Sequence, residues 1–151
     1  MTIPALQPDE QTLARQVVDA MMARDPFSQW LGISVLEVAP HAITVRMTVR
    51  DEMLNGFRVC HGGVTFSLAD SALAFASNTH GRITMSIENS ISYPIAISAG
   101  EVLTARAEEE SASNRLAFYR VAVRRQDGVV VALFRGTVYR TNQEYALTNN
   151  E

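Results

Sequence analysis

The sequence predicts an α+β fold: a largely antiparallel sheet wrapped around one long central helix, with an extra helix at the N-terminus. Three observations carry this. Residues 62–79, GGVTFSLADSALAFASNT, are apolar around nearly the whole circumference of a helix of about five turns, and a helix that is apolar all round is buried. Segments with strand character lie before that stretch and then follow it in a row with no helix between them, a grouping that pairs antiparallel. Leu13, Val17, Ala20 and Met21 recur at i, i+4, i+7 and i+8, the period of an amphipathic helix. Nothing else in the chain can cover the central helix, so the sheet must wrap it.

The elements follow in order. Pro8-Asp9-Glu10 predicts a first turn, with proline early and acids at the positive end of the dipole. The helix ends near Arg24, where Asp25-Pro26 stops it. Phe27, Trp30 and Leu31 before Gly32 predict a short helical turn packed on the body, so residues 8–31 form a helical arm. Ile33–Val38 is a strand, and Pro40-His41 its turn. Ile43, Val45, Met47 and Val49 alternate with Thr44, Arg46, Thr48 and Arg50, as in a half-buried strand. Met53–Phe57 is a loop carrying the Asn55-Gly56 turn signal. Gly81 closes the central helix, with His80 beside its negative end. Ile83–Tyr93 alternates again, placing Met85, Ile87, Asn89, Ile91 and Tyr93 on one face and Thr84, Ser86, Glu88, Ser90 and Ser92 on the other. Glu101–Glu110 is the next strand. Leu116–Arg125 and Val129–Tyr139 form a hairpin about Asp127-Gly128. The polar tail, 142–151, reads as frayed. With no repeat, low-complexity tract or linker, residues 1–151 are predicted to form a single domain. One sheet leaves an edge strand open, so association through that edge is expected.

Composition narrows the function classes. A net charge of −3 argues against nucleic acid or an anionic membrane as the main partner. The single cysteine, Cys60, allows no intrachain disulfide and fits a reducing compartment. The N-terminal residues lack the basic and apolar regions of a signal peptide, and no apolar run is long enough to span a membrane. A cytoplasmic enzyme or binding protein is expected.

The chemistry concentrates in the central helix. Asp70 is its one charge, and a lone carboxylate on a buried helix is costly unless it is paired, hydrogen-bonded or functional. Ser67, Asp70, Ser71, Ser77 and Asn78 fall at helical spacings on a narrow polar stripe. His61-Gly62-Gly63 at the start offers backbone N–H groups with little steric cover, a receiver for negative charge. Burial would raise the Asp70 pKa and a hydrogen bond from Ser71 or an N–H would lower it; the sequence leaves that balance open. Cys60 has no base at readable spacing. His41, His61 and His80 lack metal-ligand spacing, and no glycine-rich phosphate loop is present. No cofactor or metal is expected.

Met53-Leu54-Asn55-Gly56, Cys60-His61-Gly62-Gly63, Phe66-Ser67-Leu68-Ala69-Asp70-Ser71 and Ala132-Leu133-Phe134-Arg135-Gly136 together resemble the hotdog-fold, PaaI-like acyl-CoA thioesterases of phenylacetate degradation, over about Phe27 to Arg140. The resemblance implies that Asp70 is the catalytic carboxylate, as nucleophile or as base for water. It implies that the Gly62 N–H binds the thioester oxygen, that Asn55 positions water or thioester, and that His61 braces the turn. Ser86 is the candidate for a serine that assists the aspartate's water, while Gly63, Ser71 and Phe66 are candidate substrate contacts. It implies a coenzyme A thioester as substrate, no cofactor, and a homodimer with shared sites that pairs into a dimer of dimers. Arg58, Arg82, Arg115 and Arg135 are the basic groups available to the anionic coenzyme. The strand after the helix departs from the family's Arg-Pro pair, reading Ser92-Tyr93-Pro94. Two other functions stay open: a hotdog hydratase or dehydratase that pairs His61 with the carboxylate, and a non-catalytic acyl-CoA binder. Gly62 and Asp70 stand about 12 Å apart along one helix at ~1.5 Å per residue, too far to act on one carbonyl. A working pair therefore comes from two chains.

Overall fold

A computed structural model describes residues 8–147. Helix α1 (Glu10–Ala23) is capped by Asp9, whose carboxylate accepts the Thr12 N–H at 2.7 Å; Asp9 thus precedes the helix and satisfies one of its orphan donors. Its seam centres on Val17 as expected but turns toward Ala14 and Val18, which are fully buried. Helix α2 (Pro26–Leu31) begins with proline at its first turn, and the Asp25 carboxylate accepts both the N–H and the hydroxyl of Ser28. Leu31 is buried, but Phe27 and Trp30 are 52% and 55% exposed. They stack on each other, and the Arg50 guanidinium lies 5.2 Å from the Trp30 ring centre. The aromatics of the arm therefore cover each other rather than the body.

Strands β1 (Ser34–Ala39), β2 (Ala42–Thr48), β3 (Arg82–Ser92), β4 (Val102–Ala112), β5 (Leu116–Arg125) and β6 (Val130–Glu144) form one antiparallel sheet in the order β1-β2-β4-β5-β6-β3. Helix α3 (Gly62–Asn78) lies against its apolar face, where Val45, Met47, Leu103, Tyr119, Val121 and Phe134 are buried. Small residues let helix and sheet approach closely: Ala69, Ala72 and Ala76 meet Ala105 and Ala107 within one core. At Gly136 a Cβ would collide with the Leu73 side chain and stand 2.7 Å from the Asn89 Oδ1.

The strand β6 continues to Glu144, beyond the Tyr139 end read from its pattern, and residues 142–144 are strand rather than frayed tail. The Thr141 hydroxyl donates to the Ile83 carbonyl at 2.6 Å, Arg115 binds the Asn142 side chain at 2.8 Å, and the Tyr145 N–H reaches the Gly81 carbonyl. Polar side chains there serve pairing with β3, which a hydropathy pattern does not register. Residues 148–151 of the expected tail lie outside the described residues.

Two features of this frame position the site. The sheet does not close around α3: Gly63, Ser67, Asp70 and Ala74 form a stripe left exposed or half-exposed along the helix, next to the edge strand β3. And β3 carries a bulge between Ser86 and Glu88. The extra residue reverses the alternation beyond it, so Asn89 pairs with the inward-facing Gly136 and lies on the face of Ser86, not of Met85. The polar stripe of α3 is accordingly divided. Asn78 exchanges two hydrogen bonds with the backbone of Thr84 and pins the start of β3.

Candidate active site

Asp70 lies midway along the open stripe of α3. Its Oδ1 accepts a hydrogen bond from the Asn89 amide at 3.2 Å, and the Asn89 Oδ1 accepts one from the Ser86 hydroxyl at 2.9 Å. Ser86 is thus linked to the carboxylate through Asn89, a residue the strand pattern placed on the opposite face. Burial pushes the Asp70 carboxyl above its ordinary value, and the Asn89 hydrogen bond opposes it. Desolvation is the larger of the two, which decides the balance left open by the sequence. A carboxylate of raised pKa is a stronger base toward water once ionised. Replacing Asn89 by leucine removes the opposing hydrogen bond, so the acid limb of the kcat–pH profile is expected to move to higher pH. A limb that stays in place would separate Asn89 from the working carboxylate.

Ser71 does not reach Asp70. One position on, it is turned by ~100° around the helix, and its Oγ sits 2.9 Å from the Ser28 Oγ in a buried contact. Ser28 in turn bonds Asp25, so this chain of hydroxyls fastens α2 onto α3. Ser67 donates back to the Gly63 carbonyl at 2.7 Å. Phe66 packs edge-on against Phe134, ring centres 5.4 Å apart, and continues the core toward the stripe.

At the helix start His61 is the N-cap. Its Nδ1 accepts the Gly63 N–H at 2.9 Å, which puts the imidazole proton on Nε2. The Val64 and Thr65 N–H groups both donate to the His61 carbonyl. Gly63, expected as a substrate contact, has therefore already given its donor to His61. Among the described residues the Gly62 N–H is the first-turn donor with no partner. The Tyr93 hydroxyl donates to the Gly62 carbonyl at 2.8 Å from the segment after β3.

The loop before the helix is shaped by Asn55. Its side-chain oxygen accepts the N–H groups of Phe57 and Val59 at 2.9 and 3.3 Å, and its backbone N–H donates to Val59 at 2.8 Å. The carboxamide oxygen is consumed, and the Nδ2 donates to nothing among the described residues. The His61 N–H bonds the Met53 carbonyl and the Cys60 N–H bonds that of Ile97, so the loop is tied at its base. The Cys60 thiol is buried beside Thr65 and pushed up by that burial, away from nucleophilic reactivity. Among the described residues no three His, Cys, Asp or Glu side chains gather as metal ligands.

A helix enclosed on one side by an antiparallel sheet, with a carboxylate on its open stripe and an unspent N–H at its start, is the arrangement expected of a hotdog-fold thioester hydrolase. The chain belongs to the thioesterase superfamily, whose family model matches residues 57–132. It is 36% identical to the acyl-coenzyme A thioesterase PaaI of Escherichia coli over 84% of this chain and 91% of that protein. The structure of that protein, from the phenylacetic acid degradation operon, superposes with a TM-score of 0.89, covering 91% of this chain and 100% of the other at 33% identity. A mutant of the phenylacetic acid degradation protein PaaI from Thermus thermophilus aligns at 43% identity, with a TM-score of 0.75 over 78% of this chain and 100% of that one. A protein of Archaeoglobus fulgidus named as an esterase is 40% identical over 91% of this chain and 89% of its own.

Proposed function

We propose that the protein hydrolyses acyl-coenzyme A thioesters, with phenylacetyl-CoA, its hydroxylated forms or a similar aryl or medium-chain acyl group as substrate. The observation that carries this reading is the pairing of an open-stripe carboxylate, Asp70, with a helix N-terminus whose Gly62 N–H is unspent. The name of the Escherichia coli relative supports the class of thioester.

In this reading the Asp70 carboxylate takes a proton from water, and the water oxygen attacks the thioester carbonyl. The oxyanion receives the Gly62 N–H of a second copy of the chain, because one helix separates the two groups by about 12 Å. Collapse breaks the C–S bond and expels the coenzyme thiolate, which takes up the proton; free acid and coenzyme A leave. Asn55, with its free Nδ2, stands to orient water or the thioester. Ser86 supports Asp70 through Asn89.

The second copy docks along β3. This strand is the sheet edge nearest Asp70, its outer side carries no pairing strand among the described residues, and Met85 and Ile87 on it are 55% and 60% exposed. Edge pairing of this kind would give a dimer with two shared sites, and two such dimers the full assembly. Of the basic groups considered for the coenzyme, Arg82 is spent on carbonyls, Arg115 on Asn142 and Arg135 on Glu110. Arg58 has no side-chain partner among the described residues and sits in the left-handed region (φ 63°) beside the 88%-exposed Phe57, so we assign it to the coenzyme's phosphates. No helix among the described residues is long and apolar enough to cross a membrane, and we place the protein in the cytoplasm, together with its substrate.

The test is thiol release from a panel of acyl-CoA substrates. Turnover of phenylacetyl or medium-chain thioesters is expected; absence of release across the panel, or conversion of an enoyl thioester without release, would overturn the proposal.

A further inference from the structure

We infer that Tyr93 is a positioning residue for the oxyanion donor at Gly62, an inference that rests on the reading of the Gly62 N–H as that donor. The start of α3 is two adjacent glycines, and without a Cβ each has wide backbone freedom. A donor that must point at a developing charge is useful only if its direction is held before reaction. The peptide between Gly62 and Gly63 is gripped at both ends. Its N–H donates to the His61 Nδ1 at 2.9 Å, and its carbonyl accepts the Tyr93 hydroxyl at 2.8 Å. That carbonyl sets ψ of Gly62, and so the direction of the residue carrying the free N–H.

The ring adds a wall to the clamp. A Cβ on Gly62 would stand 3.2 Å from both the Cζ and the hydroxyl oxygen of Tyr93, closer than ordinary van der Waals contact. Gly62 is therefore fitted to this ring, and the ring borders the place where a thioester oxygen meets the N–H. Tyr93 itself is anchored. It leaves the end of β3 directly before Pro94, and four residues on the Ile97 carbonyl accepts the Cys60 N–H at 2.7 Å. Two bonds thus hold the segment after β3 along the chain entering α3. Burial pushes the phenol above its ordinary value, so the hydroxyl keeps its proton and remains a donor through the neutral range.

The test is Tyr93→Phe, which keeps the ring and removes the clamping hydroxyl. The expected result is a kcat lowered by about 3- to 10-fold, the factor a single hydrogen bond carries, with KM unchanged and the acid limb of the pH profile in place, since Asp70 is untouched. Rates are read well below the variant's own melting temperature, so that lost folding does not count as lost kcat. Tyr93→Ala, which also opens the space over Gly62, is expected to lose more. An unchanged kcat in Tyr93→Phe, a loss lying in KM, or a moved acid limb would each overturn the inference. Failure of the reading beneath it shows elsewhere: Gly62→Pro would then turn over substrate at the wild-type rate whatever Tyr93 does.

Discussion

Replacing Asp70 by asparagine is expected to lower kcat for thioester hydrolysis by about 10²- to 10⁴-fold, the span attributed to a positioned general base, while the fold keeps or gains stability at neutral pH. The two halves follow from one observation. Burial raises the Asp70 pKa above the 3.8 of an unfolded chain, so the folded protein holds this proton to higher pH than the unfolded one. The contribution is favourable below pH 3.8 and is lost as pH rises through the folded value. At neutrality the carboxylate is ionised and its desolvation counts against the fold. An asparagine of the same shape never ionises, and its carboxamide oxygen can still accept from the Asn89 amide at the 3.2 Å position. A plot of melting temperature against pH should therefore decline less steeply for the variant. A variant that melts markedly lower at neutral pH would make Asp70 a structural carboxylate instead.

Gly62→Pro is the second large effect, with kcat expected to fall by about 10²- to 10³-fold, the cost of removing one oxyanion donor. Proline deletes the N–H and, apart from a close contact with Tyr93, disturbs little else here. Gly62 is the first residue of α3, the helical position where proline is best tolerated. The residue before a proline must be extended, and His61 already is, at φ −60° and ψ 132°. The ring's first carbon lies 3.2 Å from Tyr93, so the tyrosine must yield by a few tenths of an ångström. The hydrogen bonds of Gly63, Val64 and Thr65 to His61 are all retained. Helicity by circular dichroism should match the wild type while thiol release collapses.

What could be read from residues alone was whatever is local in sequence. The helix 62–78, the Asp127-Gly128 hairpin and the alternation of β2 follow from periodicity and turn chemistry, and the structure shows each of them. For His61 the family resemblance implied only a brace for the turn, and its place as the N-cap comes from the structure. The residues that hold the site from a distance were not legible. Asn89 reaches Asp70 only because of a bulge, and a bulge is a property of strand register that no single-strand pattern contains. A signal existed nonetheless: asparagine is depleted in strands, and one in the middle of β3 asks for a reason. Ser71 shared a polar stripe with Asp70 on paper, but its short side chain can serve only the element beside it, which is α2. Tyr93 was visible as a departure from the Arg-Pro pair of the family, without any indication of what its hydroxyl would touch. Phe27 and Trp30 read as packing residues because hydrophobicity does not say which partner covers a side chain.

The proposal that each site is shared between two chains is tested most directly by complementation. Asp70→Asn and Gly62→Pro chains, each inactive alone, are co-expressed in equal amounts and purified together under one shared tag. In a mixed dimer one site combines both defects, and the other combines an intact Asp70 with an intact Gly62. Random pairing should therefore restore on the order of a quarter of wild-type activity, from half of the dimers with one good site each. If Asp70 and Gly62 instead acted within a single chain, no pairing could join an intact carboxylate to an intact donor. The mixture would then show only the residual rates of the two variants, and the shared site would be excluded.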